Sequence, residues 1–541
     1  MKKLFSLLMV LLLLVGCSGG GNNGGGGQEE ADLTTVTLQA PTPLISWDTA
    51  FATDGTSFSA QTMCISGLMS LDAAGNPVPD AAEKVDVSDD GLVYTFTLRD
   101  NGVWSNGTPV TAADFVYGWD RVQDPATASD YAWILETANI ASYEAVDEKT
   151  FKVTLSNPSG FFLQLTAFPT FFPVNEAFAK EKGDQLFKSI DNMIYNGPYV
   201  ATSWTSGYSF EFEQNPNYWD AENYAKTYAQ KVIFREITDT QTALMEYESG
   251  NLDTVTLSGE QVDANKDAAG FVNRLAGYMF YLSVNCGNNV HNRAGAADLA
   301  NLNVRKAMAL AIDREAIAKV LNDGSVASGG IIPIGLASNP VSSVDYREDQ
   351  GVVTEFDADK AKEFYTAAVA ELGHDVTIEL LYGTDEGDSI IKAAEQIQYF
   401  LEQVGFTVNL NGKPKKERLD IAGHRVGMHD YDVMLTRWGP DYGDPQTYMD
   451  LFVSTNEDNN DGGYNSPAYD ALVADAETGA GIADASARWQ DWLDAEKQLV
   501  VEDAAIIPVF QSGGAMIINP NIDGIEFHSA AVDSYRHIVV K

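Results

Sequence analysis

The chain has 541 residues, of which 34 are Lys or Arg and 77 are Asp or Glu, so its formal net charge is −43 with only six histidines. That carboxylate excess excludes a nucleic-acid groove, because affinity for polyphosphate comes from cations that displace counterions. With 45% apolar and 11% aromatic residues the chain is too hydrophobic for intrinsic disorder. Three cysteines leave disulfides a minor role, so several domains with hydrophobic cores are expected.

Met1-Lys2-Lys3 precedes an apolar run from Leu4 to Val15, too short to cross a bilayer comfortably but suited to the core of a secretory signal. The run ends at Leu14-Val15-Gly16-Cys17, which resembles a lipobox, so residues 1–16 read as a signal peptide and Cys17 as a lipidated first residue. Residues 17–30, rich in Gly and Asn, form a flexible tether of the kind a lipid anchor needs. A chain this acidic does not bind anionic lipid through its own surface, so acylation would hold it at the membrane. Gly19 to Gly24 satisfies GxGxxG, but no strand precedes it and no helix follows, so it is tether. Cys64 and Cys286 either pair, as an exported protein permits, or remain two buried free thiols.

Along the mature chain, Thr34 to Leu38 reads as a first strand, and Val93 to Leu98 as a second with one apolar face. A short strand is expected at Val103-Trp104 between two Asn-Gly turns. Thr111 to Asp114 resembles a capping box, and Phe115, Trp119 and Val122 recur at helical spacing until Asp124-Pro125 stops the helix. The aromatics Phe161, Phe162, Phe168, Phe171 and Phe172 read as core. Strands follow at Tyr208 to Phe212 and Lys231 to Arg235. A helix capped by Asn303 is expected over Val304 to Val320, with others over Ser389 to Val404 and Arg488 to Val501. Strands at Val376 to Tyr382 and Tyr431 to Leu435 lie between them. This alternation over 277–511 predicts an α/β lobe with a central sheet.

Catalytic chemistry leaves no mark. There is no GxSxG elbow and no HExxH. His424 and His429 are spaced poorly for a shared metal, and the run from Asp458 to Gly463 fails the EF-hand ligand frame. No metal site, no cofactor and no enzymatic activity are expected.

Four segments carry a family resemblance: Arg99 to Arg121, Asn196 to Tyr199 with Asn215 to Trp219, Asn303 to Arg314, and Trp438 to Pro445. In order and spacing they resemble the extracytoplasmic solute-binding proteins of family 5, the peptide receptors of ABC importers. The resemblance implies a periplasmic-binding-protein-like α/β fold of type II, with two lobes, a hinge and an extra inserted domain. It implies a discontinuous first-lobe domain (30–65, 190–276 and 512–541), an inserted domain (66–189) and a second lobe (277–511). Peptide would bind between the lobes, which close over it.

It also implies how the ligand is read. A receptor for mixed peptides pairs the ligand backbone as an added strand and leaves hydrated side-chain pockets. In a W-x-x-D-Y pattern, Asp441 would hold the peptide α-ammonium, and Arg437, Trp438 and Gly439 would supply strand-like contacts. Arg437 stands where many relatives have Gly, and it either points out of the cleft or narrows it toward an acidic group. Thr53, Asp54 and Gly55 would meet the ligand from the first lobe, and Tyr131 would line the site. Lys413, Lys415, Lys416, Arg418 and Arg425 are candidates for the ligand carboxylate, a basic cluster in an acidic chain. The expected partners are short peptides and the membrane permease subunits of an ABC transporter, with the protein a monomer on the outer face of the cytoplasmic membrane, or facing the periplasm if there is an outer membrane. The same scaffold carrying a nickel chelate, haem, an oligosaccharide or a cell-wall peptide, or sensing peptide pheromones, is the alternative.

Overall fold

The computed structural model describes residues 34–541 apart from 130, 287–293, 387, 424–428, 457–458 and 479–483. The signal segment, Cys17 and the tether therefore lie outside the described residues, as do His424, Arg425 and Asp458.

Three sheets organise the chain. In the first, Thr35–Ala40 runs parallel to Lys231–Glu236, which pairs antiparallel with Ser209–Gln214 and through it with Tyr199–Thr205. Val36 and Leu38 lie opposite Val232 and Phe234 and share one buried face, as period-two alternation requires. Trp47 meets Phe210 and Phe212 edge-on, with ring centroids 6.4 and 6.0 Å away, and closes that core. The helix Gly55–Cys64 buries Ala60, Met63 and Cys64 in it.

The second sheet is antiparallel, in the order Ala82–Val87, Val93–Leu98, Thr150–Leu155 and Ile140–Ala145. The helix Ala112–Gln123 covers it through Phe115 and Trp119, and its capping box is formed: Thr111 N–H donates to Asp114 Oδ2 at 2.9 Å. Phe161, Phe162, Phe168 and Phe171 join this core, while Phe172 packs into the first.

The third sheet has seven strands, in the order Thr254–Leu257, Ile506–Ile518, Phe271–Val284, Val433–Trp438, Thr377–Gly383 and Thr407–Lys413, with Val326–Ala327 beside Ile506–Ile518. Helices Leu302–Ala311, Ala358–Leu372 and Asp388–Val404 cover one face. Its two longest strands, Phe271–Val284 and Ile506–Ile518, pair antiparallel and run through positions 276/277 and 511/512, where the expected ranges change lobe. Their register shifts between Leu275 and Met279. In that bulge Gly277 is a steric requirement, since a Cβ there would meet the Ser529 carbonyl oxygen at 1.8 Å.

Two buried ion pairs fasten distant segments. Asp80 holds Arg536 at 2.7 Å and accepts from Tyr218 and Trp219. Glu496, with no exposed side-chain surface, holds Arg347 and accepts the N–H groups of Ile331 and Ile332.

Local punctuation differs from the sequence reading in several places. The helix expected over Val304 to Val320 is two helices, because Asp313 caps a new one, accepting from Ala316 N–H at 3.0 Å, after Ile312 turns extended. Asn301, not Asn303, caps the first of them. The helix expected from Arg488 starts at Ala485 under an Asp484 cap and ends in a π turn over Gln498–Glu502. Val103-Trp104 makes only an isolated bridge, Val103 to Pro109. Cys64 is buried and Cys286 partly buried, and both are free thiols.

Candidate ligand-binding cleft

A cavity of about 1580 Å³ lies between segments of the first and third sheets and the residues around Tyr131 and Phe168. The residues that the sequence singled out come together on its wall: Thr53, Asp54 and Gly55 from the loop before Gly55–Cys64, Tyr131 from the turn after Ala112–Gln123, and Arg437, Trp438, Gly439 and Asp441 from the end of Val433–Trp438. Its size suits a ligand of several residues with water around it rather than one small molecule.

Asp441 sits where the strand has turned at Pro440. Its main-chain N–H donates to Thr447 Oγ1 at 3.2 Å, and the Tyr131 hydroxyl donates to Asp441 Oδ1 at 3.4 Å from 310 residues away. No described Lys or Arg pairs with this carboxylate, and burial pushes its pKa up to about 7 against the smaller opposing pull of Tyr131. Burial, with Asp441 beside it, also raises the Tyr131 hydroxyl, so the tyrosine stays a donor. The result is a half-buried carboxylate, partly desolvated and without a countercharge, a site that favours a cation.

The turn carrying Asp441 is rigidly held. Asp444 is buried and takes both Arg488 guanidinium nitrogens, at 2.7 and 2.8 Å. Tyr442 stacks on Phe161 with centroids 3.9 Å apart, and Gly443 N–H donates to Gln164 Oε1 at 2.9 Å. Phe161 therefore packs across the cleft as well as in its own core.

The strand beside the cavity has an open edge. On one side Val433–Trp438 pairs with Phe271–Val284 as far as Trp438 opposite Met279. On the other, Thr377–Gly383 registers with it only at Val433 and Met434 and then diverges. Beyond Met434 that edge carries no registered strand among the described residues, which leaves main-chain donors and acceptors for an extended ligand.

Along this edge, the Arg437 guanidinium lies over the rings of Tyr278 and Phe280, 5.1 and 5.6 Å from their centroids, and is 4.0 Å from Glu386. Glu386 is itself held by the buried Arg418 at 3.1 Å, and Arg418 donates to Thr436 Oγ1 at 3.0 Å. The rest of the basic cluster divides: Lys413 pairs with Glu417 and Lys416 with Asp420 on the surface, whereas Lys415 and Arg418 line the cavity. Arg425 lies outside the described residues.

On the opposite wall Asp54 commits one carboxylate oxygen to a helix cap, accepting Ser57 N–H at 2.9 Å. Sequence reasoning missed Glu386, which follows the strand Thr377–Gly383 in a turn with no motif. It also missed the Arg274–Asp533 pair at 2.8 Å, which joins the bulge to the C-terminal segment. The only signal was Arg274 standing inside an apolar strand. The described residues hold no group of His, Cys, Asp or Glu placed to bind a metal.

Residues 76–460 match the bacterial extracellular solute-binding proteins, family 5 Middle. The chain is 31% identical to a dipeptide-binding protein of Lactococcus lactis subsp. cremoris, over 91% of this chain and 92% of that one. Among solved structures, the substrate-binding domain of an oligopeptide ABC transporter from Bacillus anthracis superposes with a TM-score of 0.76 at 32% identity, covering 94% of this chain and 99% of that one. Listeria monocytogenes OppA bound to peptide superposes with a TM-score of 0.75 at 32% identity, covering 94% of this chain and all of that one.

Proposed function

The chain belongs to the bacterial extracellular solute-binding proteins of family 5, and from that premise we propose that it is a lipid-anchored receptor that captures short peptides in this cleft and delivers them to an ABC transporter permease. One observation carries the reading: the half-buried, uncompensated carboxylate of Asp441 stands past the end of an open strand edge. An unblocked peptide supplies both complements, an α-ammonium for Asp441 and a backbone for the edge. Sugars, haem and metal chelates lack that combination. Two of its relatives support it, a dipeptide-binding protein of Lactococcus lactis and an oligopeptide-binding protein of Bacillus subtilis.

In this reading the first lobe takes 30–65, 190–276 and 512–541, with 66–189 inserted, and 277–511 form the second. Closure bends the paired strands Phe271–Val284 and Ile506–Ile518 at the bulge after Leu275, where the ladder is already interrupted. Thr53, Asp54, Gly55 and Tyr131 meet the peptide from one side, and Arg437, Trp438 and Gly439 pair its backbone from the other. Acylated Cys17 and the tether keep the monomer beside the permease at the outer face of the membrane, and the protein performs no chemistry on its cargo.

Native mass spectrometry of the purified protein is the direct test. Co-purified peptides of a few residues are expected, bound more weakly once their amino termini are acetylated. A sugar, haem or metal chelate in their place refutes the assignment.

A further inference from the structure

Three consecutive carbonyls at the bulge are held by three different parts of the chain. Leu275 accepts from Ser529 Oγ at 3.3 Å, in the C-terminal segment that also pairs Asp533 with Arg274. Ala276 accepts from Gln511 Nε2 at 3.0 Å, in the neighbouring strand. Gly277 accepts from the Tyr448 hydroxyl, whose oxygen takes the Met279 N–H and lies 3.3 Å from the Trp438 carbonyl oxygen. Gly277, Met279 and Tyr448 are buried, so this one hydroxyl serves a donor and an acceptor that are withdrawn from water.

Tyr448 belongs to the short helix Gln446–Met449, and its neighbour Thr447 accepts the Asp441 N–H at 3.2 Å. Asp444 fixes the start of that helix, accepting the Gln446 N–H at 3.0 Å while it holds Arg488. The same turn touches the bulge twice more. A Cβ on Gly277 would meet the Pro440 ring at 2.6 Å, and a Cβ on Gly439 would meet the Tyr278 ring at 2.3 Å. Two adjacent side chains therefore connect Asp441 to the backbone just beyond Ala276, while Arg274 and Leu275 just before it are held by the C-terminal segment.

We infer that Tyr448 is a positioning residue for closure: it joins the Asp441 turn and the bulge from Gly277 to Met279 into one body, so that a ligand held by Asp441 swings the chain about Ala276. This inference rests on the peptide reading of the cleft and on the closure proposed with it. A ligand drives closure only through contacts that are better in the closed state than in the open one. Contact with Asp441 therefore favours closure only while Asp441 cannot shift independently of the hinge. Without the hydroxyl, the Gly277 carbonyl and the Met279 N–H lose their shared partner. The turn can then take the ammonium while the lobes stay apart. The Tyr448 ring contributes packing, which Tyr448→Phe leaves in place.

Calorimetry and small-angle X-ray scattering on the full chain, with the alanine peptides from dialanine to hexaalanine, each free and N-acetylated, test the inference. Tyr448→Phe is compared with Tyr346→Phe, which removes an equally buried hydroxyl, one that donates to the Trp492 carbonyl at 2.9 Å. Tyr448→Phe should weaken the tightest free peptide about tenfold and its N-acetylated form less than about twofold. At saturation it should keep no more than about half of the native contraction on binding. Tyr346→Phe should match the native protein in both respects. In the native protein the free peptide should slow hydrogen exchange at the Met279 amide and the acetylated form should not, a measurement that needs no variant to fold. Native-like affinity and contraction in Tyr448→Phe overturn the inference, as do equal losses for free and acetylated peptides or the same selective loss in Tyr346→Phe. Equal protection of Met279 by both peptide forms overturns it too. If no unblocked peptide binds the native protein, the peptide reading itself fails.

Discussion

Replacing Asp441 by Asn separates what this residue does to the fold from what it does to the ligand. Burial raises the carboxyl from an ordinary 3.8 to about 7. Each tenfold change in proton affinity corresponds to about 1.4 kcal/mol, so the ionised side chain costs the ligand-free fold up to about 4 kcal/mol. The folded-state pKa lies above the unfolded one. Between them the native state binds more protons, and stability falls as pH rises through that window. Above pH 7 the group is ionised in both states and the whole cost is present; below pH 4 it is protonated in both and the cost vanishes. Asp441→Asn should therefore stabilise the ligand-free protein by about 3–4 kcal/mol at pH 8 and by about 0.5 kcal/mol at pH 4, measured by urea unfolding at the two pH values. The same substitution should cost an unblocked peptide about 3–5 kcal/mol of affinity, since it removes one partner of a buried charge pair. A variant less stable than the native protein at pH 8, or equally stabilised at both pH values, refutes the claim that this carboxylate is partly desolvated without a countercharge.

Peptide affinity in the native protein should weaken by up to tenfold per pH unit as pH falls below about 7, because the carboxylate must lose its proton to accept the ammonium. Calorimetry between pH 5 and 7 measures the slope, and a flat profile there contradicts the assignment. Glu496→Gln should destabilise the fold by about 3–5 kcal/mol by stranding the buried Arg347. The urea midpoint reports that loss, while the affinity of the molecules that remain folded stays unchanged. Cys17→Ser should move the protein from the membrane fraction to the soluble fraction without altering peptide affinity, read by fractionation and calorimetry of the same preparation.

Much of the second lobe was legible from local pattern. The helix Asp388–Val404 and the strand Thr377–Gly383 fall within a residue of expectation, because apolar periodicity depends only on near neighbours. Where expectation failed, the deciding group was local but ambiguous: Asp313 can sit inside a helix or cap one, and packing against the sheet selected the cap. Asp444 and Asp441 lie three residues apart in one turn and look alike in sequence. Arg488, 44 residues from Asp444, neutralises one and leaves the other bare.

The sequence by itself determined the acidic surface, the cores, the absence of catalytic motifs and, through four ordered segments, the family. Each is a property of composition or of short windows, which survive any arrangement of the chain. Only the tertiary structure decided the electrostatics of the cleft. A chain with a net charge of −43 presents an arginine and an uncompensated aspartate on one wall of its cleft. Tyr131 reaches Asp441 across 310 residues, and Glu386 and Arg418 meet from either side of the strand Thr407–Lys413. Charge and desolvation act over a few ångströms in space, and which groups share those few ångströms is settled by packing between lobes rather than by distance along the chain.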